Sequence, residues 1–242
     1  MTVDTVLPLG STSKVLTSLA LGQLVETGAL DLDAPIQAYV PYFPKKDHPI
    51  TARQLAGHLA GLRDYDMSRG EYANTHSFRS IEEAVGVFRD DPLQFVPGTK
   101  YSYSAYNFVL LSAAIEGASG RDFLSFVDQR ITKPLGLSKT KPNRQPLEMP
   151  GLATAYISGF FGIPTRAGAI DVSNKWAAGG FVSTPSEMVR LGNAVLAGQV
   201  VSPKTFELLT TPQKLADGSG GSDGGAGYGL GWRSGKKSLP RL

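Results

Sequence analysis

The sequence predicts an α+β protein, predominantly helical, on three observations. Thr51 with Gln54, Ser80 with Glu83 and Thr184 with Glu187 each have capping-box spacing, in which a hydroxyl and a Glu or Gln side chain satisfy free N–H groups at a helix start. Long alternation of Val, Ile and Thr is absent, so any sheet is small. "GYGLGW", Gly227 to Trp232, alternates small and large residues and reads as an edge strand.

The elements follow in order. A helix is expected over 11–27, with Val15, Leu16, Leu19, Leu24 and Val25 recurring on one side and Gly28 closing it. Further helices are expected over 52–60, 81–90, 105–117, 121–132 and 185–197, several ended by a glycine such as Gly61, Gly120 or Gly198. Pro185 strengthens the last one, because its fixed φ suits the first helical position and its missing N–H is not needed there. "ADGSGGSDGGAG" reads as a flexible loop before the edge strand and not as a phosphate cradle, since it does not lead from a strand into a helix. No internal repeat and no linker divides the chain, so one domain is expected over 1–242.

Composition excludes several functions. With 41% hydrophobic and 19% charged residues the chain can bury a core. The net charge of +3 is concentrated in the last ten residues, "RSGKKSLPRL", and elsewhere bases mix with acids, so neither nucleic acid nor an anionic membrane is indicated. Cysteine is absent, which removes disulfides, thiol chemistry and thiolate metal sites. His48, His58 and His76 never share an i, i+4 spacing, so no metal site and no cofactor is expected. "MTVDTVLPLG" lacks the basic and apolar regions of a signal peptide, and no apolar run is long enough for a membrane span.

Chemistry is suggested first by Ser11 and Lys14, which share a face if both lie in a first helical turn. Serine is a poor nucleophile without a neighbouring base. A lysine buried at the positive end of a helix is disfavoured as a cation, so its neutral amine could take the proton. The spacing recurs at Ser138/Lys141 and Ser234/Lys237, but Pro142 discourages a helix at the former and the latter lies in the basic tail. Two readings of Ser11 and Lys14 stand level: an activated nucleophile, or a capping serine beside a solvated lysine.

"PGTKYSYSAYNF" adds Tyr101, Tyr103 and Tyr106 between a turn and a helix. A phenol held at that edge could act as general base, as a tyrosinate near a lysine, and later return the proton to the leaving group. Three tyrosines packed by their apolar faces fit the same residues.

Seven blocks, in order, carry a resemblance: "GSTSK", "GQLVETGALDLDAPIQAYVP", "ITARQLAGHLAGLRDY", "DDPLQFVPGTKYSYSAYNF", "ASGRDFLSFVDQRITKPLGLSKT", "KWAAGGFVSTPSEMVRLGNAVLAG" and "GYGLGW". Together they resemble the serine β-lactamase-like and penicillin-binding-protein superfamily, on its class C-like branch of mitochondrial and bacterial members. The resemblance implies a β-lactamase/transpeptidase-like fold with much of its antiparallel sheet outside this chain: a nucleophile helix over 11–27, a helical subdomain over roughly 30–170, C-terminal helices and an edge strand over roughly 171–232, and a basic tail over 233–242.

It also implies an acyl-serine mechanism, with Ser11 as nucleophile and Lys14 and Tyr103 as acid/base partners. The Ser11 N–H would be one oxyanion donor. Ser104, Ala105, Gly179 and Gly180 fall at substrate-binding positions, the two glycines serving backbone geometry first. His58, in a "HTSG"-like turn, reads as structural. The second motif departs from the family in reading Tyr103-Ser104-Ala105, with Asn107 two residues late. The family's third motif lies beyond "GYGLGW", and Arg233-Ser234-Gly235 has the right chemistry but comes early.

The expected substrate is a small molecule or peptide: an ester, an amide or a β-lactam. The alternative is a catalytically incomplete relative acting as scaffold or binding protein. Strands missing at both ends would uncover helix faces, so the chain reads as a piece of a longer gene, or else as one that self-associates through those faces.

Overall fold

The computed structural model describes residues 1–144, 151–159, 162–168, 170–223 and 225–235. At its centre runs α1 (Ser13–Glu26), led in by a 3-10 turn over Gly10–Thr12. Burial encircles this helix instead of following one side: Val15 and Val25 are half-buried, while Ser13, Lys14, Thr17, Ser18 and Gln23 are buried with the leucines. A helix buried all round must satisfy its polar side chains. Ser13 Oγ accepts from the Phe181 N–H at 3.1 Å, and Thr17 Oγ1 donates to the Ala177 carbonyl at 2.8 Å. Ser18 Oγ donates to the Leu230 carbonyl at 2.5 Å and accepts from Trp232 Nε1 at 2.9 Å; Gln23 Nε2 donates to the Val200 carbonyl at 2.9 Å. Neighbouring elements are thereby fixed to α1 in depth and register.

Around it lie α2 (Ala52–Ala56), α3 (Ile81–Gly86), α4 (Ala105–Ser119), α5 (Phe123–Val127), α6 (Trp176–Gly179), α7 (Pro185–Leu196) and α8 (Pro203–Thr210). The caps at Thr51, Ser80 and Thr184 all form, and the one at Thr51 is reciprocal with Gln54. The helix expected over 52–60 stops at Ala56, because His58 takes a left-handed φ of 59° that no helix continues through. Over 121–132 the structure starts α5 at Phe123, where Asp122 caps the Ser125 N–H, and turns into a π-helical stretch at Asp128–Thr132. The helix expected over 81–90 ends at Gly86. Helix α8 was not expected: Ser202 caps it and Pro203 opens it, but no Glu or Gln completes a capping box.

Strands are short. β1 (Leu7–Pro8) and β2 (Lys141–Pro142) flank β5 (Phe181–Ser183) in an antiparallel sheet, with Pro8 and Lys141 both opposite Val182. "WAAGGFVST", read as a bend, is thus α6 followed by a central strand, which three residues are too few to announce. β3 (Tyr156–Ser158) and β4 (Pro164–Arg166) form a hairpin. β6 (Ser222–Asp223), β7 (Ala226–Tyr228) and β8 (Arg233–Ser234) form a meander, so part of the glycine-rich loop is paired; the strand expected at "GYGLGW" begins one residue earlier, stops at Tyr228, and is central and not an edge, because β6 and β8 pair on its two sides. Lys141 of the second Ser/Lys spacing sits in β2, as Pro142 suggested; Lys237 of the third lies outside the described residues, as do 236–242 of the basic tail.

The core joins α1, α4 and α6. Two glycines permit close approach: a Cβ on Gly22 would press on Leu209 and Thr205 of α8 at 3.0 Å, and one on Gly117 would enter the backbone of Tyr39. Among the described residues no helix is long and apolar enough to cross a membrane.

Candidate active site

Ser11 stands exposed in the 3-10 turn before α1. That turn needs Gly10, whose φ of +51° disfavours any residue with a Cβ. It is clamped on both sides to β5, because the Leu9 N–H donates to the Phe181 carbonyl at 2.8 Å and Ser13 accepts from the same residue. The nucleophile candidate is therefore carried by a rigid corner and not by a loop tip.

Lys14, one turn on, is 2% exposed. Its Nζ donates to the Ala178 carbonyl at 2.5 Å and to Ser11 Oγ at 3.4 Å, and lies 5.0 Å from the Tyr103 ring centroid. Burial lowers its pKa to about 8, against the raising field of Asp64. A measurable fraction of the amine is then neutral near pH 7.

Tyr103, in the segment that leads into α4, donates its OH to Ser11 Oγ at 2.9 Å. Burial raises its pKa above the usual 10, outweighing the Ser11 hydrogen bond and the Arg233 charge that lower it. The phenol is thus a proton donor at neutral pH and not a resting tyrosinate base. Of the other two tyrosines, Tyr106 donates to Glu71 Oε2 at 2.8 Å in the core, and Tyr101 packs edge-on to His58.

His58 clasps the Tyr103 segment. Its carbonyl accepts from the Ser102 N–H at 3.0 Å, and its Nδ1 accepts from the Ser104 N–H at 3.3 Å and from Asn107 Nδ2 at 3.1 Å. Its ring lies 4.2 Å from that of Tyr103. Burial, and then the charges of Lys14 and Arg233, hold its pKa well below 6.5, so it is a neutral strut. This agrees with the structural reading of His58 and explains the position of Asn107, which reaches the histidine and not the lysine.

A cavity of about 1330 Å³ opens over Ser11. Ser11, Lys14, Tyr103, Ala105 and Gly179 line it. Ser104 does not: its side chain is buried and donates to the Arg63 carbonyl at 2.6 Å. Gly180 is also behind the wall, and is a glycine because a Cβ would sit 2.7 Å from the Trp176 Cα. Gly179 faces Gly10, and a Cβ there would make ordinary contact at 3.5 Å. Arg233 lies outside the lining, although its charge reaches Tyr103 and His58. Sequence reasoning missed Asp64, Tyr65, Tyr72 and Lys175 in the lining; neither "RDY" and "NKW" nor the surroundings of Tyr72 carry a spacing that marks a site. No group of His, Asp and Glu that could hold a metal occurs among the described residues.

A helical core beside a small antiparallel sheet, with a Ser-x-x-Lys corner at the mouth of a cavity, defines the β-lactamase/transpeptidase-like fold class. The chain belongs to the Beta-lactamase family, whose profile matches residues 1–242. It is similar to the mitochondrial serine beta-lactamase-like protein LACTB of Homo sapiens, 27% identical over 95% of this chain and 56% of that protein. It is also similar to the D-alanyl-D-alanine-carboxypeptidase/endopeptidase AmpH of Escherichia coli K12, 28% identical over 78% of this chain and 48% of that one. The chain spans about half the length of these relatives. Among solved structures, a D-stereospecific amidohydrolase from Streptomyces sp. superposes with a TM-score of 0.81 at 26% identity, over 94% of this chain and 70% of that chain.

Proposed function

We propose that the chain is the part of a serine hydrolase that forms an acyl-enzyme on Ser11. The observation that carries this reading is the placement of Ser11 Oγ, within 3.4 Å of a buried lysine amine and 2.9 Å of a protonated phenol, at the mouth of a cavity. Neutral Lys14 takes the Oγ proton as Oγ bonds to the substrate carbonyl carbon. The oxyanion that forms is met by the Ser11 N–H. As the acyl bond to the leaving oxygen or nitrogen breaks, Tyr103 gives that atom its proton and is reprotonated by the Lys14 ammonium. A water then attacks the acyl carbon, Lys14 accepts one of its protons, and the serine leaves carrying that proton, releasing a carboxylic acid.

The names of the relatives support amide and peptide substrates: an amidohydrolase and a carboxypeptidase. We favour a simple ester or small amide over a penicillin. At matched concentration p-nitrophenyl acetate should turn over faster than nitrocefin, and the opposite order would reverse this preference.

The deciding experiment incubates the chain with an activated ester or a penicillin and records its intact mass beside Ser11→Ala. An acyl adduct on the native chain that the variant lacks supports the reading. No adduct on a folded protein favours the rival reading, a non-catalytic scaffold in which Ser11 merely opens a helix.

A further inference from the structure

Lys175 has no part in the mechanism above, yet it lines the same cavity and is 6% exposed. It stands at the start of α6, four residues before Gly179, the cavity residue that faces Gly10. About one helical turn, ~6 Å along the axis, therefore separates its backbone from the nucleophile's neighbourhood. One ammonium proton is donated to the Tyr72 carbonyl. Its Nζ otherwise lies 4.7 Å from the Tyr72 ring centroid and 5.0 Å from that of Tyr65, both of which also line the cavity.

Among the described residues no carboxylate comes within 4.0 Å of this ammonium. The carboxylate whose charge acts on it, Asp171, spends Oδ1 on the N–H and hydroxyl of Ser173. The acid that lines the cavity, Asp64, accepts from the Ala105 N–H at 2.8 Å, and its charge falls on Lys14, Tyr103 and Tyr65. Arg166 of β4 adds a second cation to the lining, again without an ion pair among the described residues. A buried cation with no carboxylate in direct contact is unfavourable and is relieved by an anion that enters beside it.

We infer that Lys175, with the exposed Arg166 as a further cation in the cavity lining, forms a subsite for a carboxylate carried on the acyl part of the substrate. The acyl part is assigned because Lys175 is joined through α6 to Gly179, which packs on Gly10 beside Ser11, whereas Tyr103, which protonates the leaving group, belongs to the separate segment that leads into α4. The Tyr65 and Tyr72 rings flank the short apolar chain between the reacting carbonyl and that carboxylate. The preferred substrate is then the half-ester or half-amide of a short dicarboxylic acid. This inference rests on the acyl-serine reading for turnover but not for binding.

The test pairs two esters with the same leaving group, mono-p-nitrophenyl glutarate and p-nitrophenyl butyrate, on the wild-type chain and on Lys175→Met and Lys175→Arg. The wild type should favour the anionic ester in kcat/KM by roughly tenfold to a hundredfold, the range expected of one charged hydrogen-bonded contact. Lys175→Met should collapse that ratio towards unity, and Lys175→Arg should restore most of it. A wild-type ratio near one, or a ratio that Lys175→Met leaves intact, overturns the inference.

Calorimetric binding of glutarate to the wild type and Lys175→Met separates the two readings. If neither ester reacts but glutarate binds the wild type and not the variant, the subsite stands and the acyl-serine reading falls. If glutarate binds neither or both alike, the subsite falls whatever the esters do.

Discussion

The ammonium of Lys14 donates to the backbone carbonyl of Ala178 at 2.5 Å, so the residue beside the candidate nucleophile is held by α6 and not by a carboxylate. One neutral oxygen compensates a buried charge poorly, which is why burial pulls the pKa down to about 8. The cost is a stability cost. It is present in full below pH 8, where native Lys14 is charged, and fades as pH rises towards the unfolded value of 10.5. Lys14→Met should therefore raise stability by about 1–2 kcal/mol at pH 7, after allowance for the lost hydrogen bond, while abolishing turnover. Urea midpoints should separate the two proteins at neutral pH and converge near pH 10; a variant less stable at pH 7 would contradict this.

Lys14 and Tyr103 together should set a rate profile. With Lys14 near 8 as base, kcat/KM for a neutral ester should climb through pH 7 to 9 as the ammonium is lost. It should fall only above pH 10, where the Tyr103 phenol, raised by burial, begins to ionise. Tyr103→Phe should remove the alkaline fall and lower kcat by about 10²–10⁴-fold, with the His58 ring contact and the fold retained. A profile flat from pH 6 to 9 would remove Lys14 from the base role.

His58 makes a separate prediction at acid pH. Its native pKa lies below the unfolded 6.5, so stability is complete above 6.5 and is lost as pH falls below it. His58→Asn tolerates the left-handed backbone and has no imidazole to charge, so its stability should be lower at pH 7 but less sensitive to acid. Denaturant midpoints at about pH 7.5 and 5.5 decide this; equal acid sensitivity in both proteins would assign the loss to carboxylates instead.

Gly117→Ala tests the contact of α4 with the chain at Tyr39. The added Cβ would lie 2.8 Å from the Tyr39 carbonyl carbon and closer still to its oxygen, and backbone cannot swing aside as a side chain can. A loss of about 1–3 kcal/mol is expected, although alanine is the better helix former on an exposed surface. An unchanged melting temperature would mean that α4 and the Tyr39 segment are less closely apposed.

How much could be read beforehand follows from which signals are local. Capping hydroxyls act within one turn, so Thr51, Ser80 and Thr184 announced their helices correctly. The length of α2 was not legible, because it is set by the left-handed turn at His58, a residue not ordinarily expected there. The strands escaped because each is two or three residues long and pairs only across the chain, as Pro8 does with Val182. At the site, Ser11 and Lys14 were visible as a spacing and Tyr103 as a register from the Pro97-Gly98 turn. Ser104 lies next to a cavity residue but turns its side chain to the core, and Gly180, next to Gly179, packs against Trp176, a difference of one residue that the sequence does not mark. Lys175 carried no signal, since only the fold brings it beside Tyr65 and Tyr72.

The hydroxyl of Ser18 closes its bonds across 212 and 214 positions of chain, to Leu230 and Trp232, and Thr17 across 160, to Ala177. The helix that presents the candidate nucleophile is synthesised well before the partners of its polar side chains, which lie 160 to 214 residues further along the chain. Contacts of such high order are slow to form, and until then the nascent helix carries unpaired hydroxyls and a cation into whatever it collapses against. The polar contacts that fix this helix are thereby deferred until synthesis has passed Trp232, which gives the growing polypeptide a built-in delay between making Ser11 and fixing the helix behind it.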